Sequence, residues 1–495
     1  MSHLPGSLAA LVVATPLALS GCGGAGQEAA APKAETNESP AATATAKAVT
    51  PAEGTGPAVS APKRTPTSGI NPEKQIDVVR EEVKGGEATA GPTPFDYLWQ
   101  PAKQEPSPDE PLEVQVPLGL QPLITNVNVP AANPLTKAKM ELGKQLYFDP
   151  RLSKDGTISC ATCHNPEKGW TDNLDKSIGI HGLQGSRSAP TVLNTVYGRS
   201  MFWDGRAPSL EAQAQGPIQN KIEMGDQSYK EIVERLRLIP GYQEQFRRVF
   251  GTDVTLDGLV KAIATFERTV LSGHSAYDRY NGGGGKEPEF DALTESQKRG
   301  MVLFGLRLHP DDPSRDKVDE KLLKKAGCTS CHVGFNFTDE QFHNLGVGWD
   351  EAKREFADLG RWAISPIGAK YDKELGAFKT PTLRDISRTA PYMHDGSERT
   401  LEDVIEFYNK GGNKNPNLDP DMKPLNLTDQ EKADVVAFLK ALDGELVPVE
   451  LPRLPPGSDG QAPDPREAFE PPRPAKPVSD RTAVRDFDPH AIFRR

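Results

Sequence analysis

Apolar residues recur every three to four positions in several stretches of the chain, a spacing that places them on one face of an α-helix. The stretch GSERTLEDVIEFYNKGGN, residues 396–413, carries this pattern at Leu401, Val404, Ile405 and Tyr408. Thr400 is a typical N-cap residue, and Asp403 three positions later completes a capping box. The pattern therefore predicts a helix that buries Tyr408.

The same spacing predicts helices in five other segments: residues 136–149, 228–240, 255–272, 294–307 and 428–443. Alternating strand patterns are scarce, so we predict an all-α fold. The glycine run NGGGGK at residues 281–286 is typical of a flexible joint. It divides the helical part of the chain into two units, residues 117–285 and 286–446.

The start of the chain has the pattern of an export signal. Residues 8–19 form an apolar run that is too short to cross a bilayer, and the tetrapeptide LSGC follows it. LSGC resembles the bacterial lipobox, in which the cysteine carries a lipid. We therefore predict a lipoprotein signal peptide at residues 1–22 with lipidation of Cys22. A cleaved secretory peptide is the alternative, because the opening MSHLPGS has no Lys or Arg.

The segments that flank the helical part are poor in large apolar residues. Residues 23–116 are rich in Pro and Ala and contain no aromatic residue before Phe95, and residues 447–495 are rich in Pro and charge. Such compositions bury too little apolar surface to offset the loss of chain entropy. We predict a disordered N-terminal tether over 23–116 and a disordered C-terminal tail over 447–495.

Four of the five cysteines form two CxxC pairs, each followed directly by histidine. The motifs are CATCH, with Cys160, Cys163 and His164, and CTSCH, with Cys328, Cys331 and His332. CxxCH is typical of c-type haem attachment, because two thiols on one helical turn add to the haem vinyl groups and the imidazole reaches the iron. The sequence therefore predicts two covalently bound haem c groups, one in each of two cytochrome c-like domains.

Zinc and disulfides are the alternative uses of these cysteines. Zinc ribbons separate their CxxC pairs by about 15–20 residues, whereas these pairs lie about 165 residues apart. Disulfides suit an exported protein but give no reason for the two histidines. Haem is the better interpretation, and it agrees with the export signal because this attachment is completed outside the cytoplasm.

The order of the motifs resembles that of the bacterial dihaem cytochrome c peroxidases and their MauG-type relatives. The resemblance covers about residues 117–445. It runs through CATCH, SAPTVLNT from Ser188, FWDGRAP from Phe202, EMG from Glu223, CTSCH, and KTPTLRDISRTAPYMHDG before the Tyr408 helix. It implies that the N-terminal haem reacts with H2O2 and that the C-terminal haem transfers electrons.

The resemblance also implies roles for single residues of the first unit. Glu223 matches the distal glutamate, whose carboxylate can take a proton from H2O2 and deliver it to the leaving oxygen. Gln213 and Pro217 match distal-pocket positions, and Trp203 matches the tryptophan between the two haems, an oxidisable step for electrons. The alternative interpretations are a surface glutamate and a tryptophan used only for packing.

Two further sites rest on the resemblance alone. His181 lies in the loop where family members carry a histidine that closes the resting N-terminal haem, and without it the enzyme would be open before reduction.

Ser188 stands where the family usually has the Asn of a calcium site, with main-chain oxygens at Thr389 and Pro391. The resemblance therefore implies one Ca²⁺ between the domains, provided that Ser188, a weaker oxygen donor than Asn, can still bind it.

Tyr408 stands where the peroxidases carry the methionine that is the sixth ligand of the C-terminal haem, and where MauG-type enzymes carry tyrosine. A thioether favours Fe(II), whereas a phenolic oxygen favours Fe(III) and higher states. Tyr408 is therefore a candidate iron ligand, with Met393 and His343 as competitors. A tyrosine that only packs in the core is the alternative.

Three functions are compatible with the sequence. The first is a peroxidase that reduces H2O2 with electrons from a small c-type cytochrome or another periplasmic donor. The second is a MauG-like oxidase of a protein or organic substrate, and the third is a non-enzymatic electron carrier, which has no need for Glu223.

The sequence also restricts location and partners. We expect a periplasmic protein held to a membrane by its lipid; Gly23 after Cys22 slightly favours the outer membrane. The formal net charge of −11 argues against a general nucleic-acid role, which calls for a basic surface. A homodimer is compatible with the family resemblance.

Overall fold

The computed structural model of the protein describes residues 110–366, 372–446 and 448–472. The lipidation candidate Cys22, the signal peptide and residues 23–109 of the predicted tether lie outside these ranges. Within them, no helix is long and apolar enough to cross a membrane.

The described chain is mainly helical. Its α-helices are α1 (Lys137–Phe148), α2 (Cys160–Cys163), α3 (Leu210–Gln219), α4 (Tyr229–Arg237), α5 (Pro240–Phe250), α6 (Leu256–Glu267), α7 (Ala276–Asn281), α8 (Glu295–Phe304), α9 (Leu401–Asn409) and α10 (Asp429–Lys440). Short 3₁₀ turns join many of them. The four strands are β1 (Phe342–Asn344), β2 (Trp349–Asp350), β3 (Glu355–Phe356) and β4 (Ala377–Lys379), which form two antiparallel pairs, β1 with β4 and β2 with β3.

All six predicted helices are present, and side-chain caps start most of them. Thr400, Thr428, Thr294 and Ser228 each accept a hydrogen bond from the backbone N–H three residues later within a capping box. These caps satisfy backbone donors that the first turn of a helix leaves without partners. Helix starts could therefore be read from local sequence.

Two large hydrophobic cores divide the described helices into two groups, and the division falls before α7 rather than after residue 285 as the glycine run predicts. One core gathers side chains from α1 to α6, and the other gathers side chains from α7 to α10. Each contains a pair of helices in close contact at a glycine. A Cβ atom at Gly143 would lie 1.8 Å from the carbonyl oxygen of Ala262, and one at Gly300 would lie 1.9 Å from that of Asp434. Only glycine permits this approach of α1 to α6 and of α8 to α10.

The two units meet through charged and backbone contacts. The Arg187 guanidinium binds Asp204 of its own unit at 2.7 Å and Asp358 of the second unit at 2.7 Å. The Asn173 side-chain amide donates to the main-chain oxygens of Arg388 and Ala390, both at 2.9 Å. These contacts fix the orientation of the loops that line the second site.

The prediction of a disordered tail is wrong for residues 448–472. This segment, called the strap here, returns from the second unit to the first. The Pro455 carbonyl accepts a hydrogen bond from Arg151 at 3.0 Å, and the 3₁₀ turn Pro465–Phe469 packs on α2. Phe469, 6% exposed, contacts the Phe148 ring in the first core. Composition did not predict the strap because few apolar side chains anchor it. The rest of the predicted tail lies outside the described residues, at residue 447 and residues 473–495.

Replacing Phe469 with Ala should destabilise the first unit by about 3–5 kcal/mol, because the buried ring leaves a cavity. Thermal unfolding followed at the first haem would measure the loss. Arg466→Ala is the matched control on the same turn, since its ion pair with Glu167 is exposed on both sides and such pairs contribute little. Equal melting temperatures for the two variants would contradict an anchoring role of Phe469.

Candidate functional site

The first CxxCH motif forms its own helical turn. Ser159 caps α2 through a capping box with Thr162, and the His164 N–H donates to the Cys160 carbonyl at 3.0 Å. This turn directs Cys160, Cys163 and His164 into one cavity of about 50 Å³. Burial lowers the pKa of His164, which keeps its imidazole neutral and able to bind a metal.

The predicted distal residues line the same cavity. Gln213 and Pro217 lie four positions apart on α3, so they share one face of that helix. Glu223 reaches the cavity from the loop that follows α3. The structure therefore brings Glu223, Gln213 and Pro217 together with CATCH, as the sequence predicts.

Glu223 is held in place by Asn220. The Asn220 side-chain nitrogen donates to Glu223 Oε1 at 2.9 Å, while its side-chain oxygen accepts from the N–H groups of Ile222 and Glu223. Burial raises the pKa of the Glu223 carboxyl, and Arg206 opposes this shift. A buried carboxyl with a raised pKa is a stronger base than an exposed one, which suits it to take a proton and return it.

His181 is not brought to this cavity. Its side chain is 67% exposed, and Nδ1 lies 3.3 Å from Asp155 Oδ2. The neighbouring Ile180 N–H donates to the carbonyls of Ile222 and Glu223, at 2.9 and 3.1 Å, which holds the loop over the Glu223 segment with His181 outside. His181 therefore does not line the cavity in this structure, and its role as a ligand of the first haem stays a prediction.

The second CxxCH motif forms a 3₁₀ turn, Cys328–Ser330, entered through Gly327 at φ +67°. His332 Nδ1 lies 2.9 Å from the Phe337 carbonyl oxygen, so Nδ1–H donates there and Nε2 is left for a metal. Burial lowers the pKa of His332. Cys328, Cys331 and His332 line a cavity of about 360 Å³.

Tyr408 lines this second cavity from α9, whose cap and apolar stripe the sequence predicts. Burial, with the nearby thiols of Cys328 and Cys331, raises the pKa of its phenol well above the usual value. A buried phenol gives up its proton readily only to a cation that replaces it, and iron bound by His332 would be such a cation. Its placement fits a sixth iron ligand.

His343 does not fit that role, although it lines the same cavity. Its Nδ1 lies 2.7 Å from Asp419 Oδ2 and its Nε2 lies 2.9 Å from Asp339 Oδ2, so both ring nitrogens are engaged. Cys331 and the two carboxylates raise the pKa of His343 to about 10. Because both ring nitrogens already have aspartate partners, His343 is a weaker competitor of Tyr408 than Met393, which also lines the cavity; the sixth ligand stays a prediction.

Trp203 connects the units at the second cavity. Its indole N–H donates to the Ser188 carbonyl at 2.9 Å, and its own carbonyl accepts from the Lys379 N–H at 2.8 Å. The Ser188 hydroxyl donates to the Met393 carbonyl at 3.0 Å. Ser188, Thr389 and Pro391 line the same cavity, but the Ser188 hydroxyl is already engaged there, so the calcium site stays a prediction.

The donor sets of both cavities fit covalent haem. The four cysteines Cys160, Cys163, Cys328 and Cys331 form no disulfide. Among the described residues, the buried Nδ1 of His164 has no hydrogen-bond partner, and the rest of the first cavity lining is largely apolar. Two thiols, a neutral imidazole and apolar walls match the needs of an attached haem.

Sequence reasoning missed Glu267 in the first cavity and the two aspartates, Asp339 and Asp419, that engage His343 in the second. Glu267 lines the first cavity from the end of α6. The sequence pattern could have indicated that Glu267 is buried, because Glu267 falls four residues after Ile263 on the apolar face of that helix. The partner Asp419 lies 76 residues from His343, so no local pattern could have joined them.

Comparison with known proteins agrees with this site. A family model for di-haem cytochrome c peroxidase matches residues 137–286, and one for cytochrome c matches residues 320–443. Methylamine utilization protein MauG of Methylorubrum extorquens is 42% identical over 66% of this chain and 84% of its own length. Cytochrome c551 peroxidase of Pseudomonas aeruginosa is 34% identical over 68% of this chain and 87% of its own length.

Among solved structures, a MauG-like protein associated with microbial copper homeostasis superposes with a TM-score of 0.57 at 32% identity. The match covers 66% of this chain and 95% of that one. The fold and site thus define a dihaem c-type oxidoreductase. The chain belongs to the family of dihaem cytochrome c peroxidases and MauG proteins, which confirms the predicted all-α fold with two cytochrome c-like domains and two c-type haems.

Proposed function

We propose that the protein reduces H2O2 to water at the first haem with electrons that a small c-type cytochrome delivers through the second haem. The observation that carries this proposal is the buried Glu223 carboxyl, which lines the same cavity as Cys160, Cys163 and His164. Bound haem supplies the iron on which the O–O bond breaks. Glu223 takes a proton from one peroxide oxygen and returns it to the leaving oxygen, so that H2O2, two protons and two electrons give two water molecules.

Gln213 and Trp203 support this reaction in different ways. Gln213 shares a wall with Glu223 and can orient peroxide through its side-chain amide. Trp203 stands on the wall of the second cavity and is bonded to both units, so its oxidisable indole is placed to pass electrons between them.

The test is steady-state oxidation of reduced cytochrome c by H2O2 with purified dihaem protein, with and without prior reduction of the second haem. Because His181 lies outside the first cavity, we expect turnover without prior reduction. Turnover that appears only after reduction would show that a ligand closes the first site. No turnover under either condition would reject a cytochrome c donor.

Tyr408 favours a second candidate, the peroxide-dependent oxidation of a protein or organic substrate. In this reaction the two electrons come from the substrate, and a phenolate ligand helps the second haem hold an oxidising equivalent. The similarity to MauG of Methylorubrum extorquens supports it. A long-lived oxidised spectrum after peroxide is added, together with negligible cytochrome c turnover, would favour this candidate.

We also propose that the protein is periplasmic and attached to a membrane through a lipid on Cys22. The support is the LSGC sequence and the covalent haems, which are attached outside the cytoplasm. Labelling with a fatty acid should mark the wild type but not Cys22→Ser, and the variant should appear in the soluble fraction. A variant that remains in the membrane fraction would reject lipid attachment at Cys22.

A further inference from the structure

The wall of the first cavity contains a second carboxyl, that of Glu267, for which the proposed reaction has no use. Glu267 ends α6 and is 5% exposed. It lines the same cavity as Glu223 and Cys160. Its Oε2 atom has no hydrogen-bond partner within the described part of the chain. A buried carboxyl oxygen without a partner is costly, so its presence calls for an explanation.

The polar groups around Glu267 are engaged elsewhere. Arg268 donates to both carboxylate oxygens of Glu211, at 2.7 and 3.0 Å, and Asn133 donates to Glu211 as well. The Tyr147 hydroxyl of α1 donates to the His164 carbonyl at 3.2 Å. The remaining ionisable neighbour is Cys160, whose thiol is used in haem attachment. In the part of the chain that the structure describes, the neighbouring cation Arg268 is thus already paired with Glu211.

Burial raises the pKa of Glu267 to about 8; Arg268 opposes the shift and Glu211 adds to it. The carboxyl is therefore neutral at neutral pH and able to ionise just above it. A positive charge in the cavity would favour ionisation, and loss of that charge would favour protonation.

We propose that Glu267 is the proton-holding group of the first haem site, which binds a proton when that haem gains an electron and releases it when the electron leaves. On reduction, one electron enters from the donor and one proton moves from water to the Glu267 carboxylate. On oxidation, both leave. The electron and the proton have opposite charges, so the net charge of the buried cavity stays constant. This inference rests on haem in the first site and holds for either proposed electron source.

Spectroelectrochemical titration of the first haem in the dihaem protein tests this inference. Over about pH 7 to 9, the wild-type potential should fall with rising pH by up to about 59 mV per unit, the value for one proton per electron. Glu267→Gln keeps the shape of the side chain but cannot exchange a proton. Its potential should be independent of pH over the same range.

Glu234→Gln is the control, because Glu234 lies on α4 with an exposed side chain, and this variant should keep the wild-type pH dependence. Glu223→Gln tests the competing source, because Glu223 is the other buried carboxyl of the same cavity. A wild-type potential that does not vary with pH, a slope that survives in Glu267→Gln, or a slope lost in Glu223→Gln would each overturn the assignment.

A measurement on the wild type alone covers the case in which Glu267→Gln does not fold. Infrared difference spectra between the oxidised and reduced protein above about pH 8 should show the carbonyl stretch of a protonated carboxyl appearing on reduction. No such band would overturn the inference. Where the variant does fold, loss of the band assigns it to Glu267, and its persistence would reject Glu267 as its source.

Discussion

Glu223→Gln is expected to slow the reaction of the first haem with H2O2 by about 100- to 10,000-fold, the usual contribution of a positioned acid–base group. Glutamine keeps the volume and can still bond to Asn220, but it cannot take a proton from peroxide. Stopped-flow mixing of the dihaem protein with H2O2 measures the rate directly, before any electron donor is involved. The effect should therefore be the same for both proposed electron sources.

Glu234→Gln is the control for this loss. Glu234 lies on α4 with an exposed side chain whose ion-pair partner is Lys230 at 3.8 Å. The Glu234→Gln variant should therefore react with H2O2 at the wild-type rate. A Glu223→Gln rate within a few-fold of the control would contradict the assigned role, because an acid–base group contributes at least about 100-fold.

The pH dependence of this rate has a definite sign. The carboxylate form of Glu223 is the form that accepts the proton, and burial raises its pKa. As pH falls through this raised pKa, the carboxylate is lost and the wild-type rate should fall, at a higher pH than an exposed glutamate would give. Glu223→Gln should lack this acid limb, because nothing remains there to titrate.

Local sequence predicted much of the fold because local interactions determine it. Helix starts depend on a cap and a residue three positions later, as Thr400 and Asp403 show. The CxxCH turns depend on five consecutive residues. The strap 448–472 escaped prediction because its stability depends on a few side chains, Phe469 among them, that bury themselves in a core formed far away in sequence.

The limits of prediction at the site have the same origin. The sequence identified Glu223, Gln213 and Tyr408 by motif, and the structure places each in its expected cavity. It could not show that two aspartates engage both nitrogens of His343, nor that the His181 loop bonds to the Glu223 loop. Both facts depend on contacts between segments that no periodicity connects.

The Tyr408→Met variant should shift the reduction potential of the second haem upward by on the order of 0.2–0.4 V, within the span of about 0.8 V that axial ligands control. A thioether stabilises Fe(II), whereas the phenolate that it replaces stabilises Fe(III). Redox titration of the purified protein measures the shift. The same change should shorten the lifetime of the oxidised state formed with peroxide, because the second haem then holds an oxidising equivalent less well.

Tyr408→Phe separates ligation from packing. It keeps the ring, which lies edge-on to Phe407 at 5.8 Å, and removes only the oxygen that would bind iron. If Tyr408 is the ligand, Tyr408→Phe should leave the sixth position of the second iron open to water or small anions, and added imidazole should change the haem spectrum.

If Tyr408 only packs, Tyr408→Phe should behave as the wild type and Tyr408→Met should leave the reduction potential unchanged. That result would make Met393 the next ligand to test, since both nitrogens of His343 are held by aspartates. It would also remove the main structural reason for expecting an organic substrate, so a cytochrome donor would then be the better-supported source of electrons.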